Sequence, residues 1–331
     1  MNSVAPPQSH GPRALDPVVA GTAYCIVSAL CYTAANICLR KLAALEADEM
    51  WVTCMKEVVT VSVIGPWVLV QSWRGRPVLP PPRLLVALVL TGLAVQLAGN
   101  LSVQWAFGVV GLAITISAVF GVMLTASAVF GFAFLGERVG GRSMGAIALL
   151  ILSVVLLELG AGSAGRSFAA ARGASLSPAW LLLGVGAACL GGLMFAMLST
   201  VIRGAAGARV PVTTIVLIVT GMGVLSLGSL SVWRLGTESL LRTGPEQFAW
   251  MVAAGTFNLV AFLAITKGLQ LTTVVHANVL NASQVAMGAL AGMILFKESL
   301  NSWVVLAICL TIAGVLLIGR APDEAQAMES V

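Results

Sequence analysis

Residues 106–137 read AFGVVGLAITISAVFGVMLTASAVFGFAFLGE, and residues 267–298 read KGLQLTTVVHANVLNASQVAMGALAGMILFKE. The two stretches align without a gap at an offset of 161. Each begins at a short break, continues as a long apolar span and ends in a glutamate, Glu137 or Glu298. A repeat of this length predicts that the chain consists of two related halves.

Small residues recur at the same depth in both copies. Ser127 and Gly131 in the first copy align with Gly288 and Gly292 in the second. Small residues four positions apart let helix backbones approach closely in lipid. We therefore expect these pairs to lie at close helix contacts near the axis that relates the halves.

The composition is that of an integral membrane protein. Hydrophobic residues make up 59% of the 331 residues, charged residues make up 9%, and the mean hydropathy is +0.99. Soluble domains carry roughly 25% charged residues. A membrane span needs about 20 apolar residues, and runs of that length recur along the whole chain.

The charged residues and the cysteines favour no other class of protein. The net charge is +5, but the basic residues stand singly in short loops, so the sequence predicts a membrane protein with no nucleic-acid partner. The six cysteines fall inside apolar runs and form no CxxC pair, which is typical of small buried hydrophobic residues.

The apolar runs predict an all-α membrane protein with ten transmembrane helices in two inverted five-helix repeats. Five spans per half is an odd number, so the second half enters the membrane from the opposite side. The predicted order is a disordered tail at 1–16, a first repeat at 17–159, a linker at 160–177, a second repeat at 178–319 and a polar tail at 320–331.

The first spans of the two halves also match, at an offset of 163. SALCYTAANICLRK at 28–41 aligns with part of CLGGLMFAMLSTVIR at 189–203, which sets Tyr32 against Phe195 and Asn36 against Ser199. The distribution of Lys and Arg among the connecting segments favours both termini on the cytoplasmic side, with Arg40 assigned to an outside loop. We expect a multi-pass protein of the plasma or inner membrane.

The chain resembles a known family in its last two spans of each half. FLGERVGGRSMGAIALLILSVVLL and LFKESLNSWVVLAICLTIAGVLLIG both place a glutamate between an apolar helix and a last helix that contains glycine. This pattern is similar to EamA-type transporters of the drug/metabolite transporter superfamily. The resemblance covers about residues 18–319 and implies transport of a metabolite, but it does not fix the cargo. The sequence departs from the family by lacking proline at 120–124 and 281–285, and by carrying Lys297 where glycine is common.

Polar residues within spans are costly in hydrocarbon, so they are expected to face a cavity or another helix. The ninth span is the most polar, and at 100° per residue Asn278, Asn281 and Gln284 lie on one face, with His276 and Ser283 opposite. The predicted substrate-binding set adds Asn100 of the third span, Asn258 of the eighth, and Tyr32 and Asn36 of the first. Interhelical hydrogen bonding and packing remain the alternative for each of these residues.

Charges within spans are few. Lys56 and Glu57 lie in the second span, and because adjacent helical residues point about 100° apart, we do not expect them to pair on one face. Lys56 either reaches the interface or meets an anionic cargo. If transport is coupled to protons, His276 and Glu57 are the candidate carriers. Glu137 and Glu298 are interpreted as helix-end groups.

The sequence therefore predicts a secondary transporter that moves a small polar metabolite, an amino acid or similar, by alternating access and in the direction of efflux. The neutral amides suit a zwitterionic or uncharged cargo better than a strongly anionic one. The chain offers no catalytic constellation, no metal site and no cofactor, so an enzyme is not expected. A lipid translocase, a nucleotide-sugar transporter and a quaternary-ammonium transporter remain alternatives, and a homodimer remains open.

Overall fold

The computed structural model describes residues 17–136, 140–141, 144–149, 151–153, 155–156, 177–208, 210–297 and 301–319. Five predicted features lie wholly or mostly outside these residues: the N-terminal tail, Glu137, Glu298, the linker and the C-terminal tail. The described residues form helices joined by short connections and contain no strand. The predicted all-α class is therefore confirmed.

Eight helices among the described residues are long and apolar enough to cross a membrane. We number all helices in chain order. The long ones are α1 (Pro17–Ala44), α2 (Glu49–Trp73), α3 (Pro82–Val109), α4 (Gly111–Leu135), α6 (Pro178–Ala206), α7 (Val212–Leu241), α8 (Pro245–Leu271) and α9 (Val274–Phe296). Two further apolar helices are α5 (Met144–Ser153) and α10 (Ser302–Gly319).

Local sequence signals set where the helices start. The side chain of Asp48 accepts a hydrogen bond from the Trp51 amide at 3.0 Å and so caps α2. Ser177 and Thr273 cap α6 and α9 in the same way. Pro82 and Pro245 stand in the first turns of α3 and α8, where a missing N–H leaves no bond unmade.

The end of α1 corrects one sequence expectation. The helix continues to Ala44, and Arg40 lies inside it, buried, with its guanidinium 5.0 Å from the centre of the Phe296 ring. The expectation that Arg40 belongs to a loop was wrong. An aromatic face in contact with a guanidinium offsets part of the desolvation of a buried charge, so α1 need not end before it.

The helices pack in pairs that recur in both halves. The most extensive contacts of α1 are with α8, and α6 packs along both α3 and α4. In the alignment of the two halves, α1 is equivalent to α6 and α3 to α8, so the α1–α8 pair corresponds to the α6–α3 pair. Helices α2 and α7, which also pack together, are equivalent to each other. Outside these contacts, large apolar side chains such as Trp73, Leu182 and Trp233 are exposed. In water such a surface would be a liability, but in a bilayer it faces lipid.

One end of the bundle carries polar contacts between the two halves. Asp48 forms an ion pair with Arg234, and Lys41 lies 3.7 Å from the carboxylate of Glu246. The Trp51 indole donates to the Thr243 hydroxyl at 2.9 Å. These contacts join the adjacent ends of α1 and α2, and the turn between them, to the adjacent ends of α7 and α8, so the two halves are tied together at this end.

Candidate functional site

A cavity of about 1060 Å³, part of it open space, lies among the long helices. All eight long helices contribute side chains to its wall. Its polar lining residues are Tyr32, Asn36, Thr53, Lys56, Glu57, Gln96, Asn100, Gln104, Ser199, Asn258, Asn281 and Gln284. Its larger apolar lining residues are Leu39, Ile116, Phe120, Met123, Phe195, Leu198, Ile202, Phe262, Ile265 and Leu269. This mixture of apolar and polar side chains is usual for a small-molecule site.

A break in α9 brings two amides to the cavity. The helix is interrupted at Ala282 and Ser283, between segments Val274–Asn281 and Gln284–Phe296. Across that break, the Gln284 side-chain amide donates to the Asn281 carbonyl oxygen at 2.8 Å. The break is a tightened turn rather than an unwound segment, because both residues keep right-handed helical backbone angles and the Ala282 amide still donates to the Asn278 carbonyl at 2.9 Å.

These amides form a chain of hydrogen bonds that links α9 to α1. The Asn36 amide donates to Gln284 Oε1 at 3.2 Å, and the Asn281 amide donates to the Ser28 hydroxyl at 3.4 Å. Each amide of the chain therefore has a partner within the protein while still contributing to the cavity wall. A polar solute entering the cavity would exchange some of these bonds for its own.

The wall contributed by α3 contains a π-helical segment, Val95–Asn100. Within it the Asn100 amide donates to Gln96 Oε1 at 2.8 Å, and the Gln96 amide donates to the Val219 carbonyl at 3.3 Å. Gly223 of α7 makes room for this arrangement. A Cβ atom at Gly223 would lie 2.7 Å from Gln96 Cδ and 2.9 Å from Glu57 Cγ. Segments of this type are frequent at functional sites.

Lys56 and Glu57 form an ion pair in the wall, contrary to the expectation that they would not pair. Lys56 Nζ lies 3.1 Å from Glu57 Oε1, and the side chains are 6% and 2% exposed. Adjacent helical positions point about 100° apart, but the long lysine side chain reaches across that angle to the carboxylate. Glu57 Oε2 is buried and has no hydrogen-bond partner among the described residues.

Tyr32 and Asn258 also line the cavity. Neither side chain makes a hydrogen bond to another described residue, although Asn258 is buried. Both residues therefore present polar groups in the cavity wall that a ligand could bind.

Two of the predicted residues lie elsewhere. Asn278 is fully buried outside the cavity lining, accepts from the Ser199 hydroxyl at 3.3 Å and donates to the Ser127 hydroxyl at 2.7 Å. It thereby joins α9 to α6 and α4. His276 also lies outside the lining, and its ring Nε2 is 3.1 Å from the Thr22 hydroxyl of α1. The structure thus brings together six of the seven predicted substrate-binding residues, together with Lys56 and Glu57.

The predicted set lacked Phe195, Ser199 and the aromatic residues Phe120 and Phe262. A signal for the first two was present in the sequence, because Phe195 aligns with Tyr32 and Ser199 with Asn36 in the match between the first spans. Apolar lining residues such as Phe120 and Phe262 carried no comparable signal, since each resembles any other buried aromatic residue.

The eight long apolar helices and their lipid-facing surface define an integral, multi-pass membrane protein. The model of the EamA-like transporter family matches residues 182–320, in the second half of the chain. With that match the predicted resemblance to EamA-type transporters is confirmed for the second half of the chain.

The fold also has counterparts among solved structures, of which 28 chains match. One of them, a crystal structure of a protein, has a TM-score of 0.63 and 17% sequence identity. The alignment covers 90% of this chain and 96% of that one, so the fold is shared over nearly the full length of both. No curated protein matches the chain.

Proposed function

We propose that the protein is a secondary transporter that moves a small polar metabolite across the membrane by alternating access. The observation that carries this proposal is the cavity, which gathers amides and an ion pair from eight apolar helices that otherwise face lipid. Buried polar groups of this density are expensive in a membrane protein. A solute that passes through the cavity gives them a function that packing alone does not require.

The mechanism we propose uses two inverted halves of five spans each, with both termini in the cytoplasm. The recurrence of equivalent helix pairs supports the repeat, and α5 and α10 would complete the ten spans. In such an architecture the halves rock about a central site. A cysteine introduced into the predicted linker at 160–177 should react with an impermeant reagent applied from outside. Labelling only from the cytoplasm would overturn this topology.

Reconstituted liposomes test the function directly. We expect the purified protein to accelerate uptake of labelled water-soluble metabolites, amino acids first, while a fluorescent lipid in the same vesicles keeps its leaflet distribution. Movement of the lipid without the solutes would instead establish a lipid translocase. Efflux, the physiological direction that we propose, is tested by comparing the intracellular cargo of cells with and without the gene.

The cavity residues are tested by matched variants of α9. Asn281→Ala and Gln284→Ala should each weaken the apparent affinity for the cargo about tenfold, because each removes an amide from the wall. Ser283→Ala is the control. Its hydroxyl donates to the Leu280 carbonyl at 2.8 Å, and the residue lies outside the lining. An unchanged affinity in both cavity variants would reassign the α9 amides to structure.

Coupling to protons is tested with Glu57→Gln and His276→Gln under an imposed pH gradient. Glu57 is the better placed of the two because it lines the cavity, whereas His276 contacts α1 outside it. We therefore expect Glu57→Gln to abolish any stimulation by the gradient and His276→Gln to retain it. Because Glu57→Gln leaves Lys56 as a lone buried charge, Lys56→Met/Glu57→Gln is assayed beside it and should lose the stimulation as well. If the wild type ignores the gradient, the protein is a facilitator or an exchanger.

A further inference from the structure

The Lys56–Glu57 pair differs from an ion pair that serves only to hold helices together. Both residues belong to α2, so their contact joins no two helices, and each side chain is more than nine-tenths buried. A buried ion pair costs desolvation that its own attraction barely repays. In this position the pair costs free energy without cross-linking the fold.

The pair also retains unused bonding capacity beside the cavity. Glu57 Oε2 has no hydrogen-bond partner among the described residues. An ammonium group has three donors, and the 3.1 Å contact with Glu57 uses one of those on Lys56. Both residues line the cavity. A carboxylate oxygen that can accept and an ammonium that can donate therefore stand side by side.

A ligand that completes both groups must carry the opposite pair: an ammonium for Glu57 and a carboxylate for Lys56. A ligand with only one of these charges would compete for one member of the pair and leave the other uncompensated, which is unfavourable at low dielectric. Three phenylalanines, Phe120, Phe195 and Phe262, also line the cavity. They can receive the apolar body of the same ligand.

We propose that Lys56 and Glu57 form the charge-recognising part of the cargo site and select a zwitterion whose amino and carboxylate groups are close together and whose body is apolar. This inference rests on the proposed transport function and assigns the class of its cargo. The surrounding amides then orient the ligand, while the ion pair distinguishes the zwitterion from its singly charged relatives.

Three probes that share the same phenyl group and differ only in their charged groups test the assignment. They are L-phenylalanine, phenethylamine, which lacks the carboxylate, and 3-phenylpropionate, which lacks the amine. Binding is measured by thermal shift and calorimetry on the full chain in nanodiscs. We expect the wild type to bind phenylalanine at least tenfold more tightly than the amine or the acid. Equal binding of the three, or no binding of phenylalanine by the folded protein, overturns the proposal without any variant.

The double variant Lys56→Met/Glu57→Gln then locates the preference. It removes both charges together and so leaves no lone buried charge, which keeps folding feasible. We expect the preference to fall to about twofold or less. The matched control is Lys41→Met/Glu246→Gln, which neutralises the exposed pair at the end of the bundle and should keep the wild-type preference. Retention of the preference by the first double variant would assign the selectivity elsewhere.

Failure of this inference differs from failure of the transport proposal. If liposomes take up water-soluble metabolites but the zwitterion has no advantage, only the role of the ion pair is wrong. If no solute moves at all, although phenylalanine binds with the expected preference, the protein recognises a zwitterion without transporting it.

Discussion

The two copies of the repeated stretch became α4 and α9, and they differ in how they meet the first helix of the other half. Helix α4 runs unbroken and meets α6 at Gly192, where an added Cβ would lie 2.3 Å from the Val119 carbonyl oxygen. Helix α9 is broken and meets α1 through the Asn36, Gln284 and Asn281 amides. One contact depends on backbones touching, and the other on side-chain hydrogen bonds that can be exchanged.

The aligned side chains show the same division of roles. Asn281 and Gln284 of α9 stand where α4 has Phe120 and Met123, and all four line the cavity. Ala29 of α1 stands where α6 has Gly192. The α4 side of the cavity is thus apolar and backed by a close backbone contact, whereas the α9 side is polar and held by side-chain hydrogen bonds.

The largest effect is expected from making α6 resemble α1. Gly192→Ala places a methyl group against the backbone of α4, and because the nearest atom is a carbonyl oxygen rather than a flexible side chain, the helices must separate. We expect a loss of about 3 kcal/mol in the free energy of unfolding, measured by denaturation in detergent. Gly186→Ala, on the same helix with open space around it, is the control. Equal stability of both variants would show that α4 and α6 are not in close backbone contact at Gly192.

A smaller loss of stability is expected at Asn278, which anchors α9 to α4 and α6 outside the cavity. Asn278→Ala removes the two hydrogen bonds to Ser127 and Ser199 and leaves both hydroxyls to find new partners. We expect about 2 kcal/mol of destabilisation with the affinity for the cargo unchanged. A drop in affinity at normal stability would place Asn278 in the site after all. Thermal midpoints and equilibrium binding on the same sample separate the two outcomes.

Exchanging a cavity residue between copies should act on binding. Gln284→Met gives α9 the side chain that α4 carries at this position, with similar volume but without the amide. We expect the apparent affinity for the cargo to fall about tenfold, or about 1.4 kcal/mol. The thermal midpoint should also fall, because Asn36 and Asn281 lose the partner that Gln284 supplies. Met123→Leu in α4 is the matched control and should bind normally. An unaltered affinity in Gln284→Met would mean that the polar wall does not contact the cargo.

The smallest effect concerns the helix ends. Helices α4 and α9 each end at a residue with left-handed backbone angles, Gly136 and Lys297. The backbone amide of each donates to the carbonyl five residues earlier, that of Gly131 and that of Gly292. A left-handed lysine is strained by roughly 1 kcal/mol, whereas glycine is not. Lys297→Gly should therefore raise the free energy of unfolding by about 0.5–1 kcal/mol. The reciprocal variant Gly136→Lys should lower the free energy of unfolding. Thermal midpoints identical to that of the wild type in both variants would show that the two helix ends do not differ in strain.

The all-α class and the long helices could be predicted from the lengths of the apolar runs, because a helix needs about 20 apolar residues to cross a bilayer. Helices α1 and α6 begin at Pro17 and Pro178, the predicted starts of the two repeats, and both starts are prolines. The break in α9 at Ala282 and Ser283 was not predicted, because neither residue forbids a helix. The small-residue pairs were only partly informative. An added Cβ at Gly288 would make an ordinary contact with Ile116 at 3.6 Å, whereas at Gly192 it would lie 2.3 Å from a backbone oxygen.

Site residues could be predicted where a polar side chain interrupts an apolar span. They could not be predicted where side-chain packing or conformation determines whether a residue reaches the cavity. Asn36, Asn100, Asn258, Asn281 and Gln284 could be selected because amides stand out in apolar spans. Asn278 has the same chemistry as Asn281, three residues away, and only the packing of serines around it removes it from the wall. The Lys56–Glu57 contact depends on a side-chain conformation that helical periodicity does not encode.

The π-helical segment of α3 bears on how the two halves diverged in length. The halves are offset by 163 residues at their first spans and by 161 at the repeated stretch, so the first half holds two additional residues in between. A π turn closes each hydrogen bond over one more residue than an α turn does, so Val95–Asn100 can absorb one insertion within a continuous helix. Deleting one residue there would return the segment to α-helical winding and leave the two flanks in nearly their present orientation. The contact between Gln96 and Asn100, which both lie inside the segment, depends on the wider turn. Gln104, which lies beyond it, should keep the bond that its amide donates to the Leu39 carbonyl.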